Sequence, residues 1–126
     1  MPEKKSQYFH RIEELPLIRL TEESKSHMIA TDNILISFIE NPAGCDFPLH
    51  SHPCEQIAII LEGEELHTCG DEKFLMTAGD ICIHPPNVMH AAETKTREKA
   101  IDIFYPPRED HLEKLQQTIK ERAEEA

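Results

Sequence analysis

The chain has 126 residues, of which 13 are basic and 24 acidic, and its formal net charge is −11. We predict a single domain over residues 1–126, because this length leaves no room for a second core. The acidic balance argues against nucleic acid and anionic membranes as partners, since both require a basic surface. No apolar run is long enough to span a bilayer and no signal-peptide segment opens the chain, so we expect a cytoplasmic protein with reduced cysteines.

Short apolar or alternating runs, separated by turn residues, follow one another along the chain. They predict strands at 17–20, 27–31, 34–39, 46–52, 56–62, 64–69, 73–77, 80–84 and 99–105. The four glycines all fall between predicted strands, where a residue free to adopt positive φ lets the chain reverse. The pattern predicts an all-β fold, an antiparallel barrel or sandwich over about residues 12–106, after a loose stretch at about 1–10.

The tail after the last predicted strand has a different periodicity. Its apolar residues are spaced three, four and four apart, at Leu112, Leu115, Ile119 and Ala123. This spacing places them on one face of a helix. We therefore predict a C-terminal α-helix over about residues 111–125.

Histidines occur in two segments that strands would bring together. His50 and His52 are two residues apart on one predicted strand, so both rings should lie on the same face of the sheet, and Gln56 keeps that parity. A metal ion needs several donor atoms that converge on one point, which alternate strand residues provide. From spacing alone, His90 is a candidate fourth ligand carried by a hairpin.

Both segments resemble the motifs of a known family, the cupins. The glycine, histidine and glutamine positions of the first segment resemble the first cupin motif: Gly44, His50, His52, Gln56 and Gly63. The second segment resembles the second motif at four positions: Gly79, Pro85, Asn87 and His90. The resemblance covers about residues 30–105. It departs from the family at Gln56, where many cupins have glutamate, and at Asn87, where glycine is usual.

The resemblance implies a small antiparallel cupin β-barrel, a double-stranded β-helix of the jelly-roll type, that binds one divalent transition metal. The ligands it implies are His50, His52, Gln56 and His90. Three imidazoles and an amide carry no charge, so the full ionic charge of the metal would remain available to polarise a bound oxygen. Nitrogen and oxygen donors suit Ni, Fe, Mn, Co or Zn without choosing among them.

The last predicted strand and the segment after it contain Asp102, Phe104 and Arg108. Asp102 and Phe104 share a strand face. From spacing alone, Asp102 is as well explained by a solvated position on an edge strand as by a position inside the barrel. The Asp-x-Phe followed by Pro-x-Arg resembles the end of single-domain cupins of the KdgF type, which act in pectin and alginate degradation and whose pocket these residues line.

The narrower resemblance implies a metal-dependent, isomerase- or lyase-like enzyme in carbohydrate metabolism. Its substrate would be a small sugar-acid-like molecule, a 4,5-unsaturated monouronate that undergoes enolisation or ring opening. Asp102 and Arg108 would be catalytic, through proton transfer and a carboxylate clamp, while Phe104 and Arg108 would bind the substrate. Two alternatives remain open: a metal-dependent dioxygenase acting on a small diketone or enol, and a non-catalytic ligand-binding cupin.

On two predicted strands, every residue that faces outward is apolar. These residues are Ile57, Ile59, Leu61, Ile101, Ile103 and Tyr105. They need cover from the N-terminal segment and tail helix or from a second copy, and we predict a homodimer. The remaining cysteines and histidines are interpreted without function: Cys54 and Cys82 as buried thiols, His84 as a strand-end residue, and His67 as a residue without a pattern.

Overall fold

The computed structural model describes residues 6–125. Its ten strands are β1 (Leu17–Arg19), β2 (Lys25–Ala30), β3 (Leu35–Asn41), β4 (Asp46–His50), β5 (Glu55–Glu62), β6 (Glu64–Cys69), β7 (Glu72–Thr77), β8 (Ile81–His84), β9 (His90–Thr94) and β10 (Glu98–Tyr105). A 3₁₀ turn at Ile12–Glu14 precedes them, and the helix α1 (Glu109–Glu125) follows.

The strands form two antiparallel sheets. One has six strands in the order β1-β2-β3-β10-β5-β8, and the other has four in the order β4-β9-β6-β7. β4 and β5 are consecutive in the chain but belong to different sheets, and so are β8 and β9. The connections between these pairs therefore cross from one sheet to the other, and they bring together residues that lie near the strand ends.

All nine predicted strands are present, with ends shifted by no more than two residues, and the all-β prediction is confirmed. One strand was missed, since β9 begins at His90, where only a hairpin was expected. β4 ends at His50, so the prediction of a strand through His52 was wrong at that end. α1 begins two residues earlier than predicted. Residues 6–11 have no regular structure, and the rest of the predicted loose stretch lies outside the described residues.

Alternation along the strands separates an inner from an outer face of the six-stranded sheet. One inner row runs through paired residues of five strands: Met28, Ser37, Asp102, Ala58 and Cys82. Asp102 therefore faces inward. α1 contacts β1 and β2, and its Leu115 belongs to the same apolar cluster as Met28 and Phe104. The helix thus packs on the inner side of the sheet and leaves the outer face uncovered.

The turn between β5 and β6 depends on a glycine. Gly63 has a φ of +90°, and a Cβ atom at this position would lie 2.2 Å from the carbonyl oxygen of Arg97. Both the backbone conformation and the close approach exclude a side chain here. This turn joins the two sheets directly at the end of β5, the strand that carries Gln56.

Candidate metal centre

Four residues predicted as ligands meet at one end of the barrel. His50 ends β4, His52 lies in the loop that crosses to the other sheet, Gln56 is the second residue of β5, and His90 begins β9. His50 pairs directly with His90. The parity argument for His52 and Gln56 was wrong in its geometry, because the two residues are not on the strand of His50. They converge because the chain changes sheets between them.

The connection between β8 and β9 holds the loop of His52 in place. The amide of Asn87 donates a hydrogen bond to the carbonyl oxygen of His52 at 2.8 Å. Asn87 has a φ of +66°, the left-handed conformation for which many cupins use glycine. A tight turn here directs one amide to the His52 loop and places His90 at the start of β9.

Each of the three rings is oriented by a backbone carbonyl at its Nδ1. His50 Nδ1 lies 2.8 Å from the carbonyl oxygen of Pro48, His52 Nδ1 lies 2.9 Å from that of Cys54, and His90 Nδ1 lies 3.0 Å from that of Val88. Because a carbonyl only accepts, each Nδ1 carries the proton and each Nε2 carries a lone pair. One ligand atom from each ring lies within 4.8 Å of the others.

Two contacts in this group are unsatisfied without a cation. His90 Nε2 is buried and has no hydrogen-bond partner among the described residues. The Oε1 atom of Gln56 lies 3.0 Å from His52 Nε2, so two acceptors face each other once Nδ1 of His52 holds the proton. A positive ion between these atoms would satisfy both contacts. The donor set fits a divalent transition metal.

Burial keeps the rings in the state that binds metals. Desolvation lowers the pKa of His90 to about 4, and it also lowers the pKa of His52. Both imidazoles are therefore neutral at pH 7, and their lone pairs are available to an ion. Cys54 does not join them, because its Sγ lies 3.2 Å from Nδ1 of His52, on the side of the ring away from the other ligands. Burial also raises the pKa of the Cys54 thiol.

Asp102 lies next to this group, one inner row deeper in the barrel. Asp102 is two residues before Phe104 on the same inner face of β10, and Phe104 pairs with Gln56. Burial raises the pKa of the Asp102 carboxyl to about 7, although a hydrogen bond with the Gln56 side chain opposes the shift. The Gln56 amide thus links His52 to a carboxyl group that exchanges protons near neutral pH.

Arg108 and Phe104 lie behind His52. The guanidinium of Arg108 makes two bonds to the carboxylate of Asp110, at 2.7 and 3.0 Å. Phe104 is fully buried, and its ring meets that of His52 edge-on at 5.8 Å. Phe104 supports the His52 ring from behind, and its contact with a substrate stays a prediction.

A cleft of about 1470 Å³ approaches the candidate centre from the side of α1 and the N-terminal segment. Its walls include His52, Cys54 and Arg108 from the vicinity of the site, and Arg11 and Arg122 from further away. The same walls carry four carboxylates, Glu14, Asp32, Glu109 and Asp110, so the arginines do not make the cleft positive overall. The cleft gives a small molecule a route to the neighbourhood of His52.

A second cluster lies deeper in the barrel, and sequence reasoning missed it. His67 Nε2 and His84 Nε2 are 2.6 Å apart, both rings are buried, and the ring of His84 stacks on that of His90 at 4.0 Å. Glu65 Oε2 lies 3.2 Å from His67 Nδ1. Cys82 is the third residue of the cluster. A signal was available, since Glu65, His67 and Cys69 alternate along one strand and Cys82 and His84 along another.

The same polar interior continues away from the metal ligands. Glu98 is buried and accepts a hydrogen bond from the amide of Asn41 at 2.9 Å. Burial, and after it the neighbouring Glu65, raises the pKa of Glu98 to about 8. Ser24 in turn donates a hydrogen bond to the side-chain oxygen of Asn41.

No helix in the described part of the chain is long and apolar enough to cross a membrane.

Comparison with known proteins agrees with this architecture. The family described as the AraC-like ligand binding domain matches residues 35–110. Dimethylsulfoniopropionate lyase DddQ from Ruegeria pomeroyi is 36% identical over 69 residues, which are 54% of this chain and 34% of that protein. The chain thus matches only about a third of the length of this curated relative.

Two solved structures extend the similarity over most of the chain. An RmlC-like cupin from Shewanella frigidimarina has a TM-score of 0.78 and 28% identity, over 84% of this chain and 96% of that one. KdgF from a Halomonas species has a TM-score of 0.76 and 22% identity, over 82% of this chain and 98% of that one. These findings confirm the resemblance to cupins. The chain has the cupin jelly-roll fold and belongs to the family of AraC-like ligand-binding domains.

Proposed function

We propose that this protein is a metal-dependent cupin enzyme that moves a proton on a small oxygenated, sugar-acid-like molecule. The reaction we propose is enolisation and ring opening of 4,5-unsaturated monouronates. The observation that carries the proposal is the position of Asp102 on the inner face of β10, one residue pair away from Gln56, which belongs to a converging set of candidate metal ligands. A Lewis acid beside a group that exchanges protons near pH 7 is the pairing that enolisation requires.

One divalent transition metal, Ni, Fe, Mn, Co or Zn, would be held by His50, His52, Gln56 and His90. When bound, it would polarise a substrate oxygen and favour negative charge there. The protein's part is to fix the ligands in advance. Three Nδ1 contacts to backbone carbonyls set the ring orientations, and Phe104 supports the ring of His52.

Asp102 would take a proton from one substrate atom and return it to another. A carboxyl with a pKa near 7 is ionised in part of the molecules at neutral pH, so it acts both as a base and, once protonated, as an acid. Asp102 lies on the inner face of β10, in the same row as Ser37 and Ala58.

Arg108 would bind the substrate carboxylate with its two-pronged donor geometry. In the structure two of these donors bind the carboxylate of Asp110. A substrate carboxylate would therefore exchange with Asp110 or bind the three N–H donors of the guanidinium that Asp110 leaves free. Arg108 is on the wall of the cleft that reaches His52, which supports this assignment.

The experiment is an assay of metal-loaded protein with a 4,5-unsaturated monouronate. The expected result is loss of the ultraviolet absorbance of the substrate double bond at equal rates with and without oxygen. Activity that requires oxygen and a redox metal would replace the proposal with the dioxygenase alternative. Absence of turnover with sugar acids and diketones, for all five metals, would contradict both enzymatic functions.

A non-catalytic ligand-binding role is the second candidate, and the family match to ligand-binding domains favours it. In that case the cleft and metal would hold a small molecule without converting it. Calorimetric titration with the same compounds separates the two functions. Saturable binding with full recovery of the unchanged compound would support the binding role and contradict catalysis.

We also propose that the protein is a homodimer through the outer face of its six-stranded sheet. Two apolar rows cross four paired strands there: Phe38, Ile101, Ile59 and Ile81, and beside them Ile36, Ile103, Ile57 and Ile83. α1 packs on the other side of the sheet and does not cover them. Ile81 and Ile83 are 62% and 60% exposed. Such a patch is typical of an interface.

Light scattering at micromolar concentration tests the dimer. We expect the native protein to have twice the mass of one chain. Ile83→Lys places a charge in one of the rows, and this variant should have the mass of a monomer. Leu75→Lys is the control, because Leu75 is 52% exposed on the other sheet. A monomeric native protein would contradict the assignment, and so would equal effects of the two substitutions.

A further inference from the structure

We propose that His67, Cys82 and His84 form a second metal site, which takes a thiophilic divalent cation such as Zn²⁺. One ligand atom from each residue lies within 4.8 Å of the others, and all three residues are buried. The site shares no ligand with the group of His50, His52 and His90, although the stacked rings of His84 and His90 make the two neighbours. It does not depend on the enzymatic function proposed above.

His67 is prepared to bind an ion. Its Nδ1 lies 3.2 Å from Glu65 Oε2, so Nδ1 carries the proton and Nε2 has a lone pair directed at His84. A carboxylate that holds the far nitrogen of a ligand histidine is a recurrent arrangement around metals, because it fixes the ring and makes the ligand more basic. Both Glu65 and His67 are buried, so water does not weaken this contact.

His84 directs its Nε2 at the same point as His67. The two Nε2 atoms are 2.6 Å apart, so without an ion one nitrogen donates a hydrogen bond to the other. A cation between the two nitrogens would take the place of that shared proton. Both rings are buried.

Cys82 decides the class of metal. It is the only sulfur donor in either group of ligands, and sets of histidine and cysteine are typical of zinc. Binding would release the thiol proton. The resulting thiolate and the Glu65 carboxylate would balance the two positive charges of the ion. The site of His50, His52, Gln56 and His90 has no such counter-charge, so the two sites should differ in metal preference.

The geometry requires one small adjustment. Two nitrogen ligands of a tetrahedral zinc ion lie about 3.3 Å apart, given bond lengths of about 2.0–2.1 Å. His67 Nε2 and His84 Nε2 are 2.6 Å apart. The rings must therefore separate by about 0.7 Å. His84 lies at the end of β8, directly before the connection that crosses to β9, where such a shift disturbs the fewest backbone pairs.

Cobalt is the probe, because thiolate-bound Co²⁺ has a charge-transfer absorption that nitrogen and oxygen ligands do not produce. We expect the full chain, stripped of metal by a chelator, to bind two equivalents of Co²⁺ and to show this absorption. Cys82→Ala should bind one equivalent and lose the absorption completely. Cys45→Ala, which removes a buried thiol elsewhere, should match the native protein in both respects. His50→Ala should keep the absorption and lose the other equivalent.

Three results would overturn the second site. They are one equivalent of cobalt without a sulfur band in the native protein, a band that survives in Cys82→Ala, and a Cys69–Cys82 disulfide in the protein as purified, found by mass spectrometry. Circular dichroism verifies the fold of each variant. Cys82→Ser, which changes one atom, gives the same readout if the alanine variant does not fold. Loss of the His50-dependent equivalent alone would contradict the first site and leave the second intact.

Discussion

The two groups of histidines in this barrel are oriented in different ways. In the group of His50, His52 and His90, every Nδ1 contacts a backbone carbonyl, at 2.8 to 3.0 Å. In the deeper group, His67 is held by the Glu65 carboxylate. A carbonyl fixes the ring without adding charge, whereas a carboxylate adds negative charge that a bound cation can use. The comparison shows that the neighbour behind each ring sets the electrostatics of a site.

The two groups also differ in their access to solvent. His50 is half-buried at the end of the barrel, and the cleft reaches His52. His67, Cys82 and His84 are all buried. Catalytic metal sites keep an open position for substrate, whereas closed sites stabilise structure. On this basis the outer group is suited to chemistry and the deeper group to holding the two sheets together, since β6 and β8 belong to different sheets.

Removal of an outer ligand should have the largest effect. His52→Ala is expected to lower the metal affinity of the outer site by more than about 100-fold, since it deletes a ligand rather than a neighbour of one. The cobalt band of the deeper site should persist. Elemental analysis after dialysis measures the first effect. His10→Ala, a change at an exposed histidine, should retain full metal content. Stoichiometric outer-site metal in the His52 variant would contradict the ligand assignment.

Asp102→Asn should separate metal binding from proton transfer. The amide has the same shape but does not exchange the proton, so kcat should fall by about 10²–10⁴-fold while metal content stays unchanged. In the proposed reaction the ionised form of Asp102 acts as the base, so the activity of the native protein should rise with pH. The midpoint should lie at or below about 7, because a bound cation lowers the pKa of the neighbouring carboxyl. A pH profile of kcat/KM that is unchanged in the variant would exclude Asp102 as this group.

The candidate outer site could be predicted from sequence because its predicted ligands lie in short motifs. The combination of His50, His52, Gln56 and His90 resembles cupin motifs, and the structure does bring these residues together. Their geometry could not be predicted, because it depends on where the chain changes sheets. Strand parity placed His52 on β4, whereas the strand ends at His50.

The deeper cluster shows what local patterns leave out. His67 and His84 are 17 residues apart, and their contact depends on how the two sheets face each other. Each one alone is an ordinary strand residue. From the sequence, His84 is a strand-end residue and His67 has no pattern, and alternation along a strand does not show that two residues of different sheets meet. The helix was predictable from its apolar stripe, whereas its position on the inner side of β1 and β2 follows only from packing.

Glu65→Gln tests whether the carboxylate behind His67 matters to the deeper site. The amide oxygen still accepts from Nδ1, but the negative charge is lost. We expect about a 10–100-fold weaker affinity for Co²⁺ or Zn²⁺ at the deeper site, with the outer site unchanged. Glu64→Gln, at the exposed neighbouring position, is the control and should affect neither site. Equal titration curves for the two variants would show that Glu65 has no part in metal binding.

The smallest predicted effect is on folding stability, and it comes from a substitution of Glu98. This residue lies at the end of the polar interior furthest from the outer ligands. Glu98 is buried, and its pKa is raised from 4.5 to about 8, first by desolvation and then by Glu65. The folded chain therefore holds a proton that the unfolded chain releases above about pH 4.5. The stability that depends on this proton is complete below that pH and is lost as the pH rises towards 8.

Glu98→Gln replaces the protonated carboxyl with a neutral group of the same shape. Its oxygen can still accept the hydrogen bond from Asn41. The variant should match the native protein at pH 5 and should gain about 1–3 kcal/mol relative to it at pH 9, because no buried charge forms. Urea denaturation at the two pH values measures the difference, with exposed Glu93→Gln as the control. A gain of equal size at both pH values would mean that the amide packs better, rather than that Glu98 carries a proton in the fold.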